Sequence, residues 1–512
     1  MKKYLMGIDS GTQSTRAIIF DTEGTMISEA SVKHAPLIFG EDGGIYMDEK
    51  NVWDSLCEAT RKAMAGFKED KSLLCGIGLS PHNGTVCFMK KDGSHVLHPI
   101  SYQDYRTAPI DPMPEDCPDW EAWQRTYSRA NLLKCTSPKI YESIDKYTSI
   151  GGFLGYMLTG QFVDTVSNVI GCMPLDRRNF CWETRDWVYD CVGMRKDQLC
   201  DIFMPGSIMG RITKAASTAT GIPEGLPLVA GASDKQCEAF GAGAIENKSA
   251  FISYGTEASL TFVSNTFYSM TKENFFYSLL SVVPYQWNYT MPMARGYWLV
   301  SWFRDNLAKD LVQKVKDEGL GSYGIEDILT RQAIEIEPGS EGLIVIPDWL
   351  AGRTRPHGKG VILGFTAKHT RAHMFRALIE GIAMQLRMNG DTLMETIKGL
   401  EKYNRIFVGG GGSRSDLSMQ ITADVFGVEV MRAPYHETGS LGAAMCAGMG
   451  VGIFDSCEAA VTRMGGTKRQ VFRPIEKNRM YYDKLYNQVF KHCYKTMFPL
   501  FEKLDKIQEG RE

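Results

Sequence analysis

At 512 residues the chain is longer than one hydrophobic core usually covers, so two or more domains are expected. Its composition, 44% hydrophobic and 23% charged, is that of a globular protein, and a net charge of −3 gives no electrostatic reason to expect nucleic acid or an anionic membrane as partner. Thirteen cysteines, odd in number and without a C-x-x-C pair, argue against a disulfide framework and a zinc site. No apolar run approaches the roughly 18–20 residues of a membrane span. Asp9 interrupts the apolar stretch behind Met1-Lys2-Lys3 too early for a signal peptide, so a reducing cytoplasm is the expected setting.

In chain order, residues 4–9 and 16–21 read as strands joined by a Gly-Thr turn, and 26–32 as a third strand after Asp21-Thr22-Glu23-Gly24. Trp53 to about Phe67 has helical periodicity. Cys75–Leu79 is a short apolar strand ending at Ser80-Pro81-His82-Asn83-Gly84, with another strand over 85–89. Residues 107–140, rich in Pro, Asp and Trp, read as an inserted loop or small subdomain, and 141–159 as helix. A Pro/Gly connector over 221–227 leads to a strand at 228–230 and then Gly231-Ala232-Ser233-Asp234. Strands mixed with helices indicate α/β architecture. A helix is expected over 370–398. A strand over 405–408 runs into Gly409–Gly412, and Leu417, Ile421 and Val425 mark a helix face that stops at Gly427. The division expected is 1–247 as an N-terminal lobe, 248–455 as a C-terminal lobe and 456–512 as a helical tail packing on the lobes.

Chemistry enters through a repeat. Gly7-Ile8-Asp9-Ser10-Gly11-Thr12-Gln13-Ser14-Thr15 and Ile252-Ser253-Tyr254-Gly255-Thr256-Glu257-Ala258-Ser259 share a strand entry, a Gly-Thr turn, nearby hydroxyls and a strand exit. Either alone reads as an ordinary hairpin; the pair suggests two related lobes facing one nucleotide. A phosphate needs backbone N–H donors with no side chain in the way, which accounts for Gly11 and Gly255. Thr12, Gln13, Ser14 and Thr256 add side-chain partners, and Asp9 at a strand end is placed to hold Mg²⁺ through water. Neither turn matches the P-loop pattern. Gly410, Gly411 and Gly412, ahead of a helix starting near Ser415, let backbone lie against a base or ribose, or simply turn. Asp234, at a strand end, suits either a proton acceptor for a substrate hydroxyl or a helix N-cap. His82, Asn83, Gln103, Asp104 and Arg106 form a polar set that suits several sugar hydroxyls or, alternatively, solvated loops. His369 and His373 lack a third ligand and read as structural or capping residues.

These motifs, in this order over about 4–455, resemble those of the FGGY carbohydrate kinases of the actin/hexokinase/Hsp70 superfamily. The carriers are the two hairpins, Gly231–Asp234 with Gly241-Ala242-Gly243, the stretch from Gly364-Phe365 through His369–His373 to Glu380-Gly381, Gly409–Gly412 with Ala423–Gly427, and Glu437–Gly450. The last resembles the small-residue helix that closes the second lobe. The resemblance implies two actin-like (ribonuclease H-like) lobes around a central cleft, ATP and Mg²⁺ as cofactors, and Asp234 as general base toward a hydroxyl of a ketose or sugar alcohol. Within the family the pattern is nearest to xylulokinases. Their Met-His-Gly element stands here as His82-Asn83-Gly84, and their Trp-Asn-Asp-x-Arg as Tyr102-Gln103-Asp104-Tyr105-Arg106. Glycerol kinases carry Arg-Glu near position 82, which counts against glycerol. The alternatives are a degenerate sugar- and ATP-binding sensor, or a glycerol/erythritol-type polyol kinase. The partner expected is a small-molecule sugar or polyol, with a homodimer as the oligomeric expectation and neither nucleic acid nor membrane.

Overall fold

The structure, a computed structural model, describes residues 2–111, 125–169, 173–269, 276–350, 355, 357–466, 469–508 and 510. The chain folds into two compact units. The first comprises Met1–Asn247, Val263–Tyr289 and Glu437–Lys468; the second comprises Lys248–Phe262, Thr290–His436 and Arg469–Glu512.

In the first unit a sheet runs in the order Ile208–Arg211, Pro227–Ala230, Leu74–Pro81, Tyr4–Ser10, Ser14–Asp21, Met26–Lys33. The strands Tyr4–Ser10, Leu74–Pro81 and Pro227–Ala230 are parallel, with Asp9 beside Ser80 and Ala230 beside Leu79, so their carboxyl ends finish level. All seven residues of Tyr4–Ser10 are buried, as expected of a strand covered on both faces. Because side chains alternate, Tyr4, Met6 and Ile8 join the core with Val52, Leu56 and Ala59 of the helix Glu49–Gly66. Leu5, Gly7 and Asp9 face the other way, toward the helix Thr438–Gly450.

That second helix sits unusually close to the sheet. A Cβ on Gly7 would lie 1.8 Å from the Ser440 carbonyl oxygen, and one on Gly78 would lie 1.8 Å from that of Ala443. It packs as tightly on the helix Asp234–Ala242: a Cβ on Gly241 would lie 2.1 Å from the Thr438 carbonyl oxygen and one on Gly442 2.1 Å from that of Cys237. Glu437–Gly450, expected in the second lobe, is grouped here with the first unit. Its small residues fit it against the glycines of the first unit, to which it belongs.

A smaller sheet of the first unit corrects the helix expected over 141–159. Lys146–Ser149 is a strand paired with Val86–Met89, and the helix begins only at Ile150. The Ser149 hydroxyl accepts from the Gly151 and Gly152 amides, a cap that marks where strand becomes helix. Of the segment 107–140, helices occupy Arg129–Thr136 and Pro138–Glu142, while 112–124 lie outside the described residues.

In the second unit the strands Ala258–Ser264, Ser249–Tyr254, Arg405–Gly409, Glu429–Arg432 and Gln470–Phe472 are neighbours in that order. Ser249–Tyr254 is antiparallel to Ala258–Ser264, forming the second hairpin, and parallel to Arg405–Gly409. The helix Arg371–Thr396 is largely buried, and His373 completes a capping box with Thr370 at its start. The tail forms the helices Glu476–Leu485 and Lys491–Gln508. Among the described residues no helix is long and apolar enough to cross a membrane.

Candidate active site

The carboxyl ends of the three parallel strands in the first unit carry Asp9, the loop Pro81–Gly84 and the segment Gly231–Asp234, the position where open parallel sheets gather ligands. Asp9 is 8% exposed. Its Oδ2 lies 3.6 Å from Arg16 Nη1, and its Oδ1 has no hydrogen-bond partner among the described residues. Burial pushes its pKa up to about 7. The Arg16 guanidinium pulls the other way, and Glu238, Asp234 and Glu437 add to the rise. Arg16 Nε also holds Glu437 Oε2 at 3.1 Å. Beside Asp9 the buried hydroxyls of Ser80, Thr438 and Ser440 likewise lack partners, and the backbone of Gly439 abuts the Asp9 carboxylate.

Asp234 is half-buried at the first turn of its helix; Ser233 is the N-cap. Burial pushes the Asp234 pKa up to about 6, opposed by Lys235 and reinforced by Glu238. Its Oδ1 accepts from the Lys235 amide at 2.8 Å, and Lys235 Nζ lies 3.0 Å from Glu238 Oε1. Asp234 is thus not the helix cap.

The first hairpin turn is closed by the Gly11 amide donating to the Ser14 carbonyl at 3.0 Å. A Cβ on Gly11 would touch only Ser14 O, at 3.7 Å, so nothing inside the fold demands glycine there. Among the described residues the side chains of Thr12, Gln13 and Ser14 make no internal hydrogen bond, so their polar groups are available to a ligand. The neighbouring Ser10 and Thr15 hydroxyls are 3.1 Å apart, and Thr15 Oγ1 lies 2.8 Å from His34 Nε2.

The polar set divides. His82 is buried, with Nδ1 3.2 Å from the Ser10 carbonyl and Nε2 2.9 Å from Thr85 Oγ1, and burial drives its pKa down to about 4, leaving it neutral. Nδ1 ties the loop to the first hairpin and Nε2 ties it to Thr85 at its own exit, so both ring nitrogens are engaged within the fold. Asp104 and Arg106 are likewise committed. Burial favours protonation of Asp104, but hydrogen bonds from the Arg106 side chain and the Ile45 and Arg106 amides outweigh it and lower the pKa. Arg106 also reaches Asp42 at 2.5 Å and Tyr46 Oη at 3.1 Å, and Arg129 lies 3.6 Å from Asp104. Gln103 Nε2 donates to Tyr102 Oη at 3.2 Å. Asn83 is half-buried and donates through Nδ2 to Ser233 Oγ at 3.3 Å, next to Asp234.

Sequence reading missed Arg16, Glu238 and Glu437, which join Asp9 only in space. It also missed Asp164, buried behind the 80–84 loop, where Ser149 and Asn168 meet and burial pushes its pKa up to about 6. The register of the first hairpin, which sets Arg16 opposite Asp9, was the available signal for Arg16.

In the second unit the hairpin turn Gly255-Thr256-Glu257 is exposed or half-exposed; Gly255 O and Thr256 O accept from the Tyr297 and Gly296 amides at 2.9 Å each. Gly410 ends its strand with φ +81°, where a Cβ would strike the Tyr254 backbone at 2.8 Å. A Cβ on Gly412 would strike the Tyr297 ring at 2.4 Å, whereas one on Gly411 would meet nothing within 4 Å. Ser415 caps the helix Asp416–Phe426, accepting from the Ser418 amide at 3.3 Å, so its hydroxyl is engaged locally.

Among the described residues no group of three or more His, Cys, Asp or Glu side chains could hold a metal ion by itself. The hard, unpartnered Asp9 oxygen nonetheless suits Mg²⁺ that takes its remaining ligands from phosphate and water.

The class follows from the architecture: this is a two-domain, actin-like ATPase fold. The xylulose kinase structure from Rhodospirillum rubrum superimposes with a TM-score of 0.78 over 98% of this chain and 100% of that one at 22% identity, and the ligand-bound xylulose kinase from Lactobacillus acidophilus with 0.79 over 98% and 100% at 21%. The chain belongs to the FGGY family of carbohydrate kinases: the family's N-terminal domain matches residues 4–116 and 123–241, and its C-terminal domain residues 250–451. It is 32% identical over 99% of its length, and 97% of the relative's, to a protein of Escherichia coli named "Uncharacterized sugar kinase YgcE". It is 27% identical to a xylulose kinase of Staphylococcus epidermidis, with 97% of each chain covered. It is 26% identical to a gluconokinase of Bacillus licheniformis, with 95% of this chain and 94% of that one covered. The protein is accordingly an ATP-dependent phosphotransferase acting on a sugar or polyol.

Proposed function

We propose that the acceptor is an uncharged ketose, of the xylulose-like pentulose type, or a sugar alcohol, and that Asp234 is the general base. The observation that carries the base assignment is the half-buried carboxylate at the start of the helix that follows a parallel strand, its pKa raised toward neutrality with Asp9 nearby. With a pKa of about 6 it is ionised at neutral pH yet basic enough to take a hydroxyl proton as the oxygen attacks phosphorus. The charge balance favours a neutral acceptor over a sugar acid: Asp9, Asp234, Glu238 and Glu437 gather there against Arg16 and Lys235.

Gly11, Thr12, Gln13 and Ser14 would hold phosphate in the first unit. In the second, Gly255 and Thr256 would do the same, with Gly410, Gly411, Gly412 and Ser415 forming the bed for the nucleoside. Asp9 would hold Mg²⁺ through water. The ion, when bound, neutralises the charge that spreads over the phosphoryl oxygens. Asn83 touches the sugar, Asp104 and Arg106 stiffen the loop beside it, and the rest of the catalysis is alignment.

The test is ADP release with D-xylulose, D-ribulose, D-fructose, D-gluconate, erythritol and glycerol. Asp234→Asn should lose about 10²–10⁴ in kcat with the best acceptor while keeping ATP affinity. Near-wild-type turnover in that variant would remove Asp234 as base, and a preference for gluconate would remove the neutral-acceptor reading.

A further inference from the structure

Behind Asn83 stands a short buried relay that the proposed roles leave unused. Gln236, on the helix that begins at Asp234, is 1% exposed, and Ser233 is fully buried. The Ser233 hydroxyl donates to Gln236 Oε1, and Asn83 Nδ2 donates to Ser233 Oγ at 3.3 Å. The direction of this chain follows from the Gln236 amide presenting its carbonyl oxygen to Ser233. A carbonyl oxygen can only accept, so the serine proton points at Gln236 and the serine lone pair is left for an N–H donor. Asn83 therefore turns its NH₂ to Ser233, and its carbonyl Oδ1 makes no internal hydrogen bond among the described residues.

Two further observations argue against a packing role. Gln236 Nε2 is buried without a partner among the described residues, an arrangement that costs stability and that a simple core would replace with an apolar side chain. Ser233 is an N-cap residue whose hydroxyl does not cap: it makes no bond to the helix amides and serves Gln236 instead.

We propose that Gln236 is a positioning residue which, through Ser233, orients the Asn83 amide so that Oδ1 accepts a hydrogen bond from an acceptor-sugar hydroxyl next to Asp234. This rests on the kinase reading above and adds to it what position 83 reads: a hydroxyl donor on an uncharged sugar. Asn83 stands where the Met-His-Gly element has His, so the relay supplies the orientation that the changed side chain needs.

The experiment takes the best acceptor from the six-compound panel and measures steady-state kinetics of Gln236→Leu and Ser233→Ala, each alone and combined with Asn83→Ala. Ser233→Ala removes no cap and little volume, so it reports even where Gln236→Leu folds poorly. Each single variant should raise the KM for the acceptor about tenfold, the loss of one well-placed hydrogen bond, with the KM for ATP unchanged. In the Asn83→Ala background neither should add anything, because the relay then has nothing to orient. An unchanged acceptor KM, a rise that persists without Asn83, or an equal rise in the KM for ATP overturns the proposal. A wild-type protein that phosphorylates none of the panel overturns the acceptor reading and this inference with it.

Discussion

At the level of single residues, the site sets carboxylates against their own solvation. Asp9 shows it most: burial and three neighbouring carboxylates raise its pKa to about 7, and Arg16 only partly offsets them. A group that binds its proton more tightly in the folded than in the unfolded chain makes folding weaker as pH rises. The penalty is absent below about pH 4, grows from there to about pH 7, and is fully present above. Asp9→Asn should therefore stabilise the ligand-free protein at pH 8 by roughly 2–4 kcal/mol, at about 1.36 kcal/mol per unit, and do nothing at pH 4, while abolishing kinase activity. Urea denaturation at the two pH values checks it; equal effects at both would mean that the charge of Asp9 is not the source. Such a gain on deleting a functional group is the signature of a site held at the expense of stability. The sequence made the acidic residues at strand ends visible, because strand-end carboxylates next to glycine turns are a local pattern. It could not show that His82 and Arg106 are committed inside the protein. Their partners, Ser10, Thr85, Asp42 and Asp104, become neighbours only when loops from separate strands converge.

At the level of elements, glycines fall into two kinds that the sequence does not distinguish. Gly7, Gly78, Gly241 and Gly442 exist for close packing, because a Cβ on any of them would overlap backbone at about 2 Å. Gly11 and Gly411 are not needed by the fold, since a Cβ there meets only Ser14 O at 3.7 Å or nothing at all. Gly78→Ala should therefore destabilise the protein by at least about 3 kcal/mol, because backbone rather than a flexible side chain must move. Gly11→Ala should leave Tm within about 2 °C and raise the KM for ATP about tenfold or more, by crowding a phosphate. Thermal melts beside ATP titrations separate the two classes. A Gly11→Ala protein that melts early would place that glycine with the packing group. The same contrast explains which elements were legible. Helices 371–396 and 416–426 announced themselves by periodicity, and Gly427 ends the second at φ +68° as expected. The strand 146–149 was hidden because its evidence is the pairing with Val86–Met89, which no local window contains.

For the whole molecule, the repeated hairpin disclosed two units, but not how the chain is shared between them. The first unit takes residues from three separate stretches, and its last, Glu437–Lys468, lies almost two hundred residues beyond the first. Periodicity could find the helix Thr438–Gly450 but not its destination. That depends on glycines at 7, 78 and 241 matching small residues at 438–443, a complementarity across the chain. This has a consequence for folding. A fragment of residues 1–247 contains the whole six-stranded sheet but lacks the helix that covers the Gly7 and Gly78 face of its central strands and locks the Asp234 helix in place. With that face bare, the parallel strands Tyr4–Ser10 and Leu74–Pro81 have one layer where two are needed. The fragment should keep secondary structure by far-UV circular dichroism yet unfold without a sharp transition in urea and bind ANS, whereas the full chain unfolds cooperatively. Joining residues 437–468 to it through a flexible linker should sharpen the transition. A fragment that unfolds as steeply without the helix as with it would show that the sheet and the Glu49–Gly66 helix suffice, and that the close glycine packing serves only to position Asp9 and Asp234.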